Sequence, residues 1–146
     1  MQEFLPYAWF EGKCIPFEDA KVSIATHSLH YGTAAFGGMR AIPNPSNNNE
    51  FLLFRTDKHI KRLSQSARLL LTEISEEYIF NALKTILKKN KPTKPIYIRP
   101  FVYTSDLGIA PRLHNIETDF FIYCIELGDY LSPDGVSCRM SSWTRQ

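Results

Sequence analysis

The 146-residue sequence lacks a long hydrophobic run, an excess of one charge and a basic segment near its start. Its longest apolar stretches, such as residues 120–125, are far shorter than the ~18 residues that a membrane-spanning helix needs. A formal net charge of +2 is too even to predict nucleic acid or an anionic membrane as a partner. Residues 1–12 contain no lysine or arginine, so no signal peptide is expected. We therefore expect a soluble, cytoplasmic protein.

The sequence is also poor in cysteine, and its three cysteines stand far apart, without a zinc-binding spacing. We interpret Cys14, Cys124 and Cys138 as free thiols of a reducing compartment without a catalytic role, and we predict no metal site. Charged residues make up only 22% and aromatic residues reach 13%, a composition that excludes a disordered chain. The length fits one compact domain.

The first third of the sequence has the pattern of extended structure. Glu11-Gly12 lies between two apolar runs and predicts a hairpin. The segments 27–32 and 33–42 are interpreted as extended, although the second contains two adjacent glycines. Residues 43–49, rich in proline and asparagine, predict an exposed loop, and 51–54 predicts a strand buried on both faces.

Two amphipathic helices and further strands are predicted next. The first helix begins at a cap formed by Thr56 or Asp57 and runs to about Leu71, and Ser75 caps the second. Long apolar strands are predicted over 96–104 and 119–126, and residues 136–140 alternate as in a strand. The predicted fold class is α+β, with a largely antiparallel sheet and a pair of helices packed on one face.

Arg99 is the most unusual residue, because it stands in the middle of an otherwise apolar strand. In a strand, Tyr97 and Arg99 share a face, so a phenol and a guanidinium are presented together. A buried guanidinium must meet a carboxylate, a phosphate or solvent in a cavity. A ligand site and a structural ion pair both remain open for Arg99. Gly37-Gly38 likewise indicates either a close approach of a backbone or ligand, or a bulge.

These residues belong to a succession of short motifs, whose order and spacing are more specific than any one of them. The motifs are Trp9-Phe10-x-Gly12, Glu18-Asp19-Ala20-Lys21-Val22, His27-x-Leu29-His30-Tyr31-Gly32, Phe36-x-Gly38-x-Arg40, Phe54-Arg55, His59-x-x-Arg62-Leu63 and Tyr97-Ile98-Arg99-Pro100. The succession resembles the N-terminal, small domain of branched-chain amino acid aminotransferases, which are pyridoxal-phosphate enzymes of fold type IV. The resemblance implies transfer of an amino group between leucine, isoleucine or valine and 2-oxoglutarate, in branched-chain amino acid biosynthesis.

The resemblance also implies roles for individual residues. Arg62 is expected to hold the phosphate of pyridoxal 5'-phosphate. Tyr31, Arg99 and Tyr130 are expected to bind the side-chain carboxylate of glutamate or 2-oxoglutarate. Phe36 would offer an apolar wall to the branched-chain substrates, and Tyr97 would assist at the α-carboxylate of the substrate. Leu107, Gly108 and Ile109 resemble the loop that reaches the active site of a partner subunit, which implies a homodimer or a higher homo-oligomer.

The family's Schiff-base lysine lies on a second domain, and no lysine motif here matches it. We therefore expect residues 1–135 to form the small domain and residues 136–146 to begin the linker or the second domain. No catalytic residue is assigned, and the chain by itself is expected to be inactive. Two alternatives remain open. One is another fold-type IV enzyme, such as a D-amino acid or amine transaminase or an aminodeoxychorismate lyase. The other is a non-catalytic binding module of the same fold.

Overall fold

The computed structural model describes residues 3–126 and 134–144. In these ranges the strands are β1 (Tyr7–Phe10), β2 (Lys13–Pro16), β3 (Ala34–Phe36), β4 (Met39–Asn44), β5 (Asn47–Leu53), β6 (Ile96–Thr104) and β7 (Thr118–Glu126). The helices are α1 (His27–Tyr31), α2 (Thr56–Arg68) and α3 (Glu76–Asn90), and a short 3-10 helix covers Phe17–Asp19. The strands pair antiparallel in the order β2-β1-β7-β6-β4-β5, and β3 also pairs with β6. The predicted α+β class is confirmed.

Helices α2 and α3 cover one face of the sheet. Alternate residues of β6 and β7 point toward them, because successive side chains of a strand point to opposite faces. The resulting core contains the fully buried side chains of Leu63, Ile79, Leu83, Ile86, Ile96, Ile98 and Ile122. Burial of each such side chain contributes about 1.5–3 kcal/mol to stability. The other face of the sheet carries aromatic residues and Arg99, and Phe17 of the 3-10 helix packs there against Tyr123, with the ring centroids 6.0 Å apart.

Several local predictions are confirmed. Glu11 and Gly12 form the turn between β1 and β2 with φ values of 47° and 77°, as a tight hairpin with two left-handed residues requires. The hydroxyl of Ser75 caps α3 by accepting a hydrogen bond from the Tyr78 N–H at 3.1 Å. The strand predicted over 96–104 has those bounds, and the strand predicted over 119–126 begins one residue earlier.

The prediction of extended structure over 27–32 is wrong, because residues His27–Tyr31 form a short helix. Gly32 ends it in the left-handed conformation, with φ of 64°, and its N–H donates to the Ser28 carbonyl. In a helix His27 and Tyr31 lie one turn apart on the same side, and their ring centroids are 4.6 Å apart. This histidine-rich run of five residues is too short for its hydrophobic pattern to distinguish a helix from a strand.

The predictions around β5 need correction too. Residues 43–49 are not one loop: β4 continues to Asn44 and β5 begins at Asn47. The Asn44 side chain supports the turn by donating to Glu50 at 2.9 Å and accepting from the Ser46 N–H at 3.0 Å. Strand β5 lies at the edge of the sheet, so Leu52 is exposed rather than buried.

Two helix and strand limits also differ from prediction. Helix α2 follows Arg55, which takes φ of 52° at the cap position without a side-chain cap bond, and it ends at Arg68. Thr56 and Asp57 are therefore its first residues and not its cap. The strand predicted over 136–140 is absent, since the described residues 134–144 form no helix or strand. None of the helices formed by the described residues has the length and apolarity to cross a bilayer.

Candidate active site

A cavity of about 650 Å³ opens beside the sheet face that carries Arg99, and we call it the sheet cavity. Three neighbouring strands supply most of its polar side chains: Arg40 from β4, Tyr97 and Arg99 from β6, and Tyr123 from β7. Arg40 pairs with Tyr97 and Arg99 pairs with Tyr123, and paired residues project from the same face. The remaining lining residues are Phe4, Gly38, Met39, Phe54, His59 and Ile125. The volume is within the roughly 300–1,000 Å³ of small-molecule sites.

Arg99 brings an unpaired charge to this cavity. Its guanidinium carbon lies 4.3 Å from the centroid of the Phe36 ring and 5.0 Å from that of the Tyr97 ring, so aromatic rings flank the cation. Its Nε is buried and has no hydrogen-bond partner among residues 3–126 and 134–144. The ion pairs found within those ranges do not include Arg99. A buried N–H without a partner is costly, and the half-buried Arg99 lines an open cavity, so the geometry favours a ligand site over a structural ion pair.

The two adjacent glycines bring Arg62 close to this group. The Gly37 N–H donates to the Pro100 carbonyl at 2.9 Å, and a Cβ on Gly37 would lie 3.2 Å from Pro100 Cγ and 4.0 Å from Arg62 Nη2. A Cβ on Gly38 would collide with the Tyr97 hydroxyl. The close approach found at these glycines is that of the Pro100 and Tyr97 side chains. The exposed Arg62, on α2, therefore stands beside a segment that also lines the cavity.

Tyr31 and the loop at 107–109 form a second group, apart from the first. Tyr31 does not line the sheet cavity. Its ring lies against His27, whose N–H donates to the Asp106 carbonyl at 2.9 Å and whose Nε2 is 2.7 Å from the Ala110 carbonyl oxygen. The apolar side chains of Leu107 and Ile109 are exposed beside this contact. Tyr130 lies outside the described residues.

A polar junction lies between the sheet and the connection from β6 to β7 (residues 105–117, the β6–β7 loop). It is a second cavity of about 620 Å³ whose lining includes Glu11, Tyr103 and Asp119. Burial raises the pKa of Asp119. The hydrogen bond from the Phe120 N–H lowers this pKa, and the nearby Glu11 carboxylate raises it further. Burial, followed by the charges of Asp119 and Glu11, also raises the pKa of Tyr103. Within the described residues, the two cavities share no lining side chain.

Sequence reasoning missed several cavity residues. Arg40 and Tyr123 enter the cavity through strand register, which depends on pairing between distant segments. Arg40 also stood in a quoted motif, but the motif indicated no lining role for it. His59 had a usable signal, since it lies three residues before Arg62 on α2 and shares a helix side with it. Phe54 belonged to a quoted motif, but its position between strand and helix did not indicate a lining role.

Comparison with known proteins places the chain in a family. Residues 34–146 match the family described as amino-transferase class IV. The whole chain is 61% identical, over 146 residues, to 48% of a probable branched-chain-amino-acid aminotransferase from Synechocystis sp.. The chain thus spans about half the length of the curated relatives that it matches.

Solved structures agree with this match. A branched-chain aminotransferase from Thermoproteus uzoniensis, solved with norvaline, superimposes with a TM-score of 0.85 at 29% identity, over 98% of this chain and 47% of that chain. The branched-chain amino acid aminotransferase from Escherichia coli gives a TM-score of 0.81 at 30% identity, over 97% of this chain and 46% of that chain. The fold is therefore that of the first half of these enzymes. The chain belongs to the class IV aminotransferase family.

Proposed function

We propose that this chain is the substrate-recognition half of a branched-chain-amino-acid aminotransferase, which transfers an amino group between leucine, isoleucine or valine and 2-oxoglutarate. The observation that carries the proposal is the unpaired, buried Nε of Arg99, whose guanidinium lies between two aromatic rings at the sheet cavity. A site with one cation and aromatic walls suits ligands that are carboxylates or branched hydrocarbons. The relatives matched along the chain carry the same activity in their names.

Pyridoxal 5'-phosphate is the cofactor of this family, as in the solved Thermobaculum terrenum relative in its holo form. When bound, it supplies the electron sink for negative charge at the α-carbon of the amino acid. The residues present fit such a group. Arg62 holds the phosphate, because its guanidinium is exposed and lies beside Gly37, at the edge of the segment that lines the sheet cavity.

Two kinds of substrate side chain share one recognition surface in this proposal. Arg99 binds the distal carboxylate of glutamate or 2-oxoglutarate through its free N–H groups, with Tyr130 as a further contact. The Phe36 ring, stacked beside the Phe101 ring at 6.1 Å, offers an apolar wall to a branched side chain. Tyr97 presents its hydroxyl next to Gly38 and binds the α-carboxylate.

Tyr31 binds the side-chain carboxylate together with Arg99 and Tyr130, and the loop at 107–109 acts at the active site of a second copy. The exposed Leu107 and Ile109, at 62% and 87% exposure, support this role, because such side chains gain stability when a partner covers them. The assembly is thus a homodimer or a larger homo-oligomer. We further propose that residues 1–135 form the small domain and that residues 136–146 begin the linker or the second domain, which the exposure of Met140 and Trp143 supports.

The same proposal assigns a compartment and limits what these residues do alone. The free thiols of Cys14, Cys124 and Cys138 favour the cytoplasm, where thiols stay reduced.

Among the described residues, no lysine lines the sheet cavity. Transamination therefore requires residues beyond those of this chain, and the chain alone neither transaminates nor bonds the cofactor at one defined lysine.

The decisive experiment uses a protein of the relatives' full length that contains this chain. Purified with pyridoxal 5'-phosphate, it is assayed with 2-oxoglutarate as acceptor and leucine, isoleucine, valine or D-alanine as donor. We expect turnover of the branched-chain donors and none of D-alanine. Turnover of D-alanine without leucine would replace the proposal with a D-amino acid transaminase. Binding of carboxylates without any turnover would indicate a binding module.

A further inference from the structure

His27 has an environment that the proposed reaction leaves unexplained. Its side chain is only 3% exposed, yet both ring nitrogens have partners: Nδ1 lies 2.9 Å from the Thr33 hydroxyl and Nε2 lies 2.7 Å from the Ala110 carbonyl oxygen. Because a carbonyl oxygen can only accept, the proton must be on Nε2. In the neutral ring Nδ1 then accepts, and Thr33 donates to it. Of the two neutral tautomers, the contacts therefore fit only the one with its proton on Nε2.

The backbone around His27 is bonded to the same loop. The His27 N–H donates to the Asp106 carbonyl, the Gly108 N–H donates to the Ala25 carbonyl at 3.2 Å, and Thr26 forms a β-bridge with Leu107. Together with the ring of His27, these bonds reach the β6–β7 loop from Asp106 to Ala110. His27 thus belongs to a seam of hydrogen bonds between the start of α1 and this loop.

Packing cannot replace these bonds. Leu107 and Ile109 expose most of their apolar surface, so few contacts hold the loop against the domain. The loop residues between Asp106 and Ala110 form no helix or strand. Fixing five such residues costs conformational entropy, which polar bonds to the rest of the domain must offset.

We propose that His27 is a positioning residue, which joins the loop at 107–109 and the Tyr31 ring into one unit by donating from Nε2 to the Ala110 carbonyl and accepting at Nδ1 from Thr33. This inference rests on the proposed function for its purpose, since Tyr31 is assigned to the substrate carboxylate and that loop to the active site of a second copy. The geometry is a property of this chain alone. His27 contacts no reacting atom and acts through the groups that it holds.

The test measures amide hydrogen exchange of the 146-residue chain by NMR, without cofactor. The variants are His27→Phe, which loses both ring bonds, His27→Gln, which can still donate and accept, and Thr33→Val, which keeps the shape of Thr33 but loses its hydroxyl. We expect exchange of the Gly108 amide to accelerate about tenfold or more in His27→Phe and to return most of the way in His27→Gln. Thr33→Val should lie between them.

His114→Phe is the matched control, because His114 is an exposed histidine in the same β6–β7 loop. It should leave the Gly108 amide unchanged, and amides in β6 and β7 should be unchanged in every variant. Nitrogen chemical shifts of the wild-type ring should show a protonated Nε2 and an unprotonated Nδ1. A proton on Nδ1, an unaltered Gly108 amide in His27→Phe, or equal acceleration throughout the sheet would each overturn the proposal. None of these results depends on turnover, so failure of the proposed function would be recognised separately, from the substrate assay.

Discussion

Two regions, the sheet cavity and the group formed by Tyr31 and the loop at 107–109 (the Tyr31 group), are held in place by different forces. Arg99 and Tyr97 stand on β6, the central strand, with β7 on one side and β3 and β4 on the other. The back of that strand is fully buried at Ile98. Tyr31 and the loop at 107–109, in contrast, depend on a short helix and on hydrogen bonds to a segment without regular structure.

The difference separates two requirements of recognition. A cation that discriminates between a carboxylate and a hydrocarbon needs a fixed direction, which a strand paired on both sides provides. Groups that meet a second protein need exposure, and exposure removes the packing that would otherwise fix them. Under the proposed function, the charged recognition group lies over the core and the residues that contact a second copy lie at the periphery. Arg99→Ala and Gly38→Ala alter the sheet cavity alone, and Asp119→Asn alters the polar junction between the sheet and the β6–β7 loop.

The largest effect is expected from Arg99→Ala in a protein of the relatives' full length. Loss of a charge-assisted contact to the distal carboxylate should cost about 2–4 kcal/mol, which is roughly 30- to 1,000-fold in kcat/KM for glutamate and 2-oxoglutarate. Leucine, which lacks that carboxylate, should lose only a few-fold. The measurement is kcat/KM for both kinds of substrate with the same enzyme preparations.

Arg68→Ala is the matched control, because Arg68 is an exposed arginine in the last turn of α2. Neither substrate should respond to that change. Arg99→Lys should fall between wild type and Arg99→Ala, since an ammonium keeps the charge without the planar fork of donors. Equal losses for leucine and glutamate in Arg99→Ala would mean that Arg99 supports the fold only.

The sequence predicted the sheet cavity better than the Tyr31 group, for a physical reason. Tyr97 and Arg99 could be assigned to one face because the alternation of a strand is local and regular. The break at Gly37-Gly38 was visible because glycine has few other uses inside a strand. Arg40 and Tyr123 were not predictable, because their positions follow from register between distant segments.

The Tyr31 group shows what could not be predicted from the sequence. The resemblance grouped Tyr31 with Arg99 and Tyr130, whereas in this chain Tyr31 contacts His27 and does not line the sheet cavity. The local pattern had also predicted an extended segment there. One turn of helix has too few residues for periodicity to be read, and its cap at Gly32 resembles any loop glycine. The roles of individual residues at the active site stay predictions.

A smaller effect is expected from Gly38→Ala, which tests how tightly the sheet cavity is packed. The new methyl group would collide with the Tyr97 hydroxyl, so either the ring or the backbone must shift. Overpacking of this kind typically costs about 1–3 kcal/mol in the free energy of unfolding. Urea unfolding of the variant and the wild-type chain measures the difference.

The double variant Gly38→Ala/Tyr97→Phe identifies the cause. Removing the hydroxyl should recover part of the loss, so the two changes should be non-additive. Gly37→Ala is the matched control, because its nearest contact, with Pro100 Cγ, is 3.2 Å and requires only a small adjustment. If Gly37→Ala destabilises the chain more than Gly38→Ala, the contact with Tyr97 is not the tightest of the pair.

The smallest effect is expected at the junction between the two regions, from Asp119→Asn. Burial and Glu11 raise the pKa of Asp119 in the folded chain above its ordinary value of 3.8, so the folded state binds the proton more tightly than the unfolded state. Ionised Asp119 therefore lowers stability, and this penalty appears as the pH rises from 3.8 through the folded-state pKa.

An asparagine at position 119 can still accept the Phe120 N–H bond and carries no charge. At pH 7 the variant should be slightly more stable than the wild type, by less than about 1 kcal/mol because solvent screens this half-buried group. Below pH 3.8 the difference should disappear. Asp19→Asn, at an exposed aspartate of the 3-10 helix, controls for the change in net charge. A wild-type chain that gains stability over Asp119→Asn as the pH rises would show that Asp119 is paired with a cation, and the junction would then bind the loop to the sheet by charge.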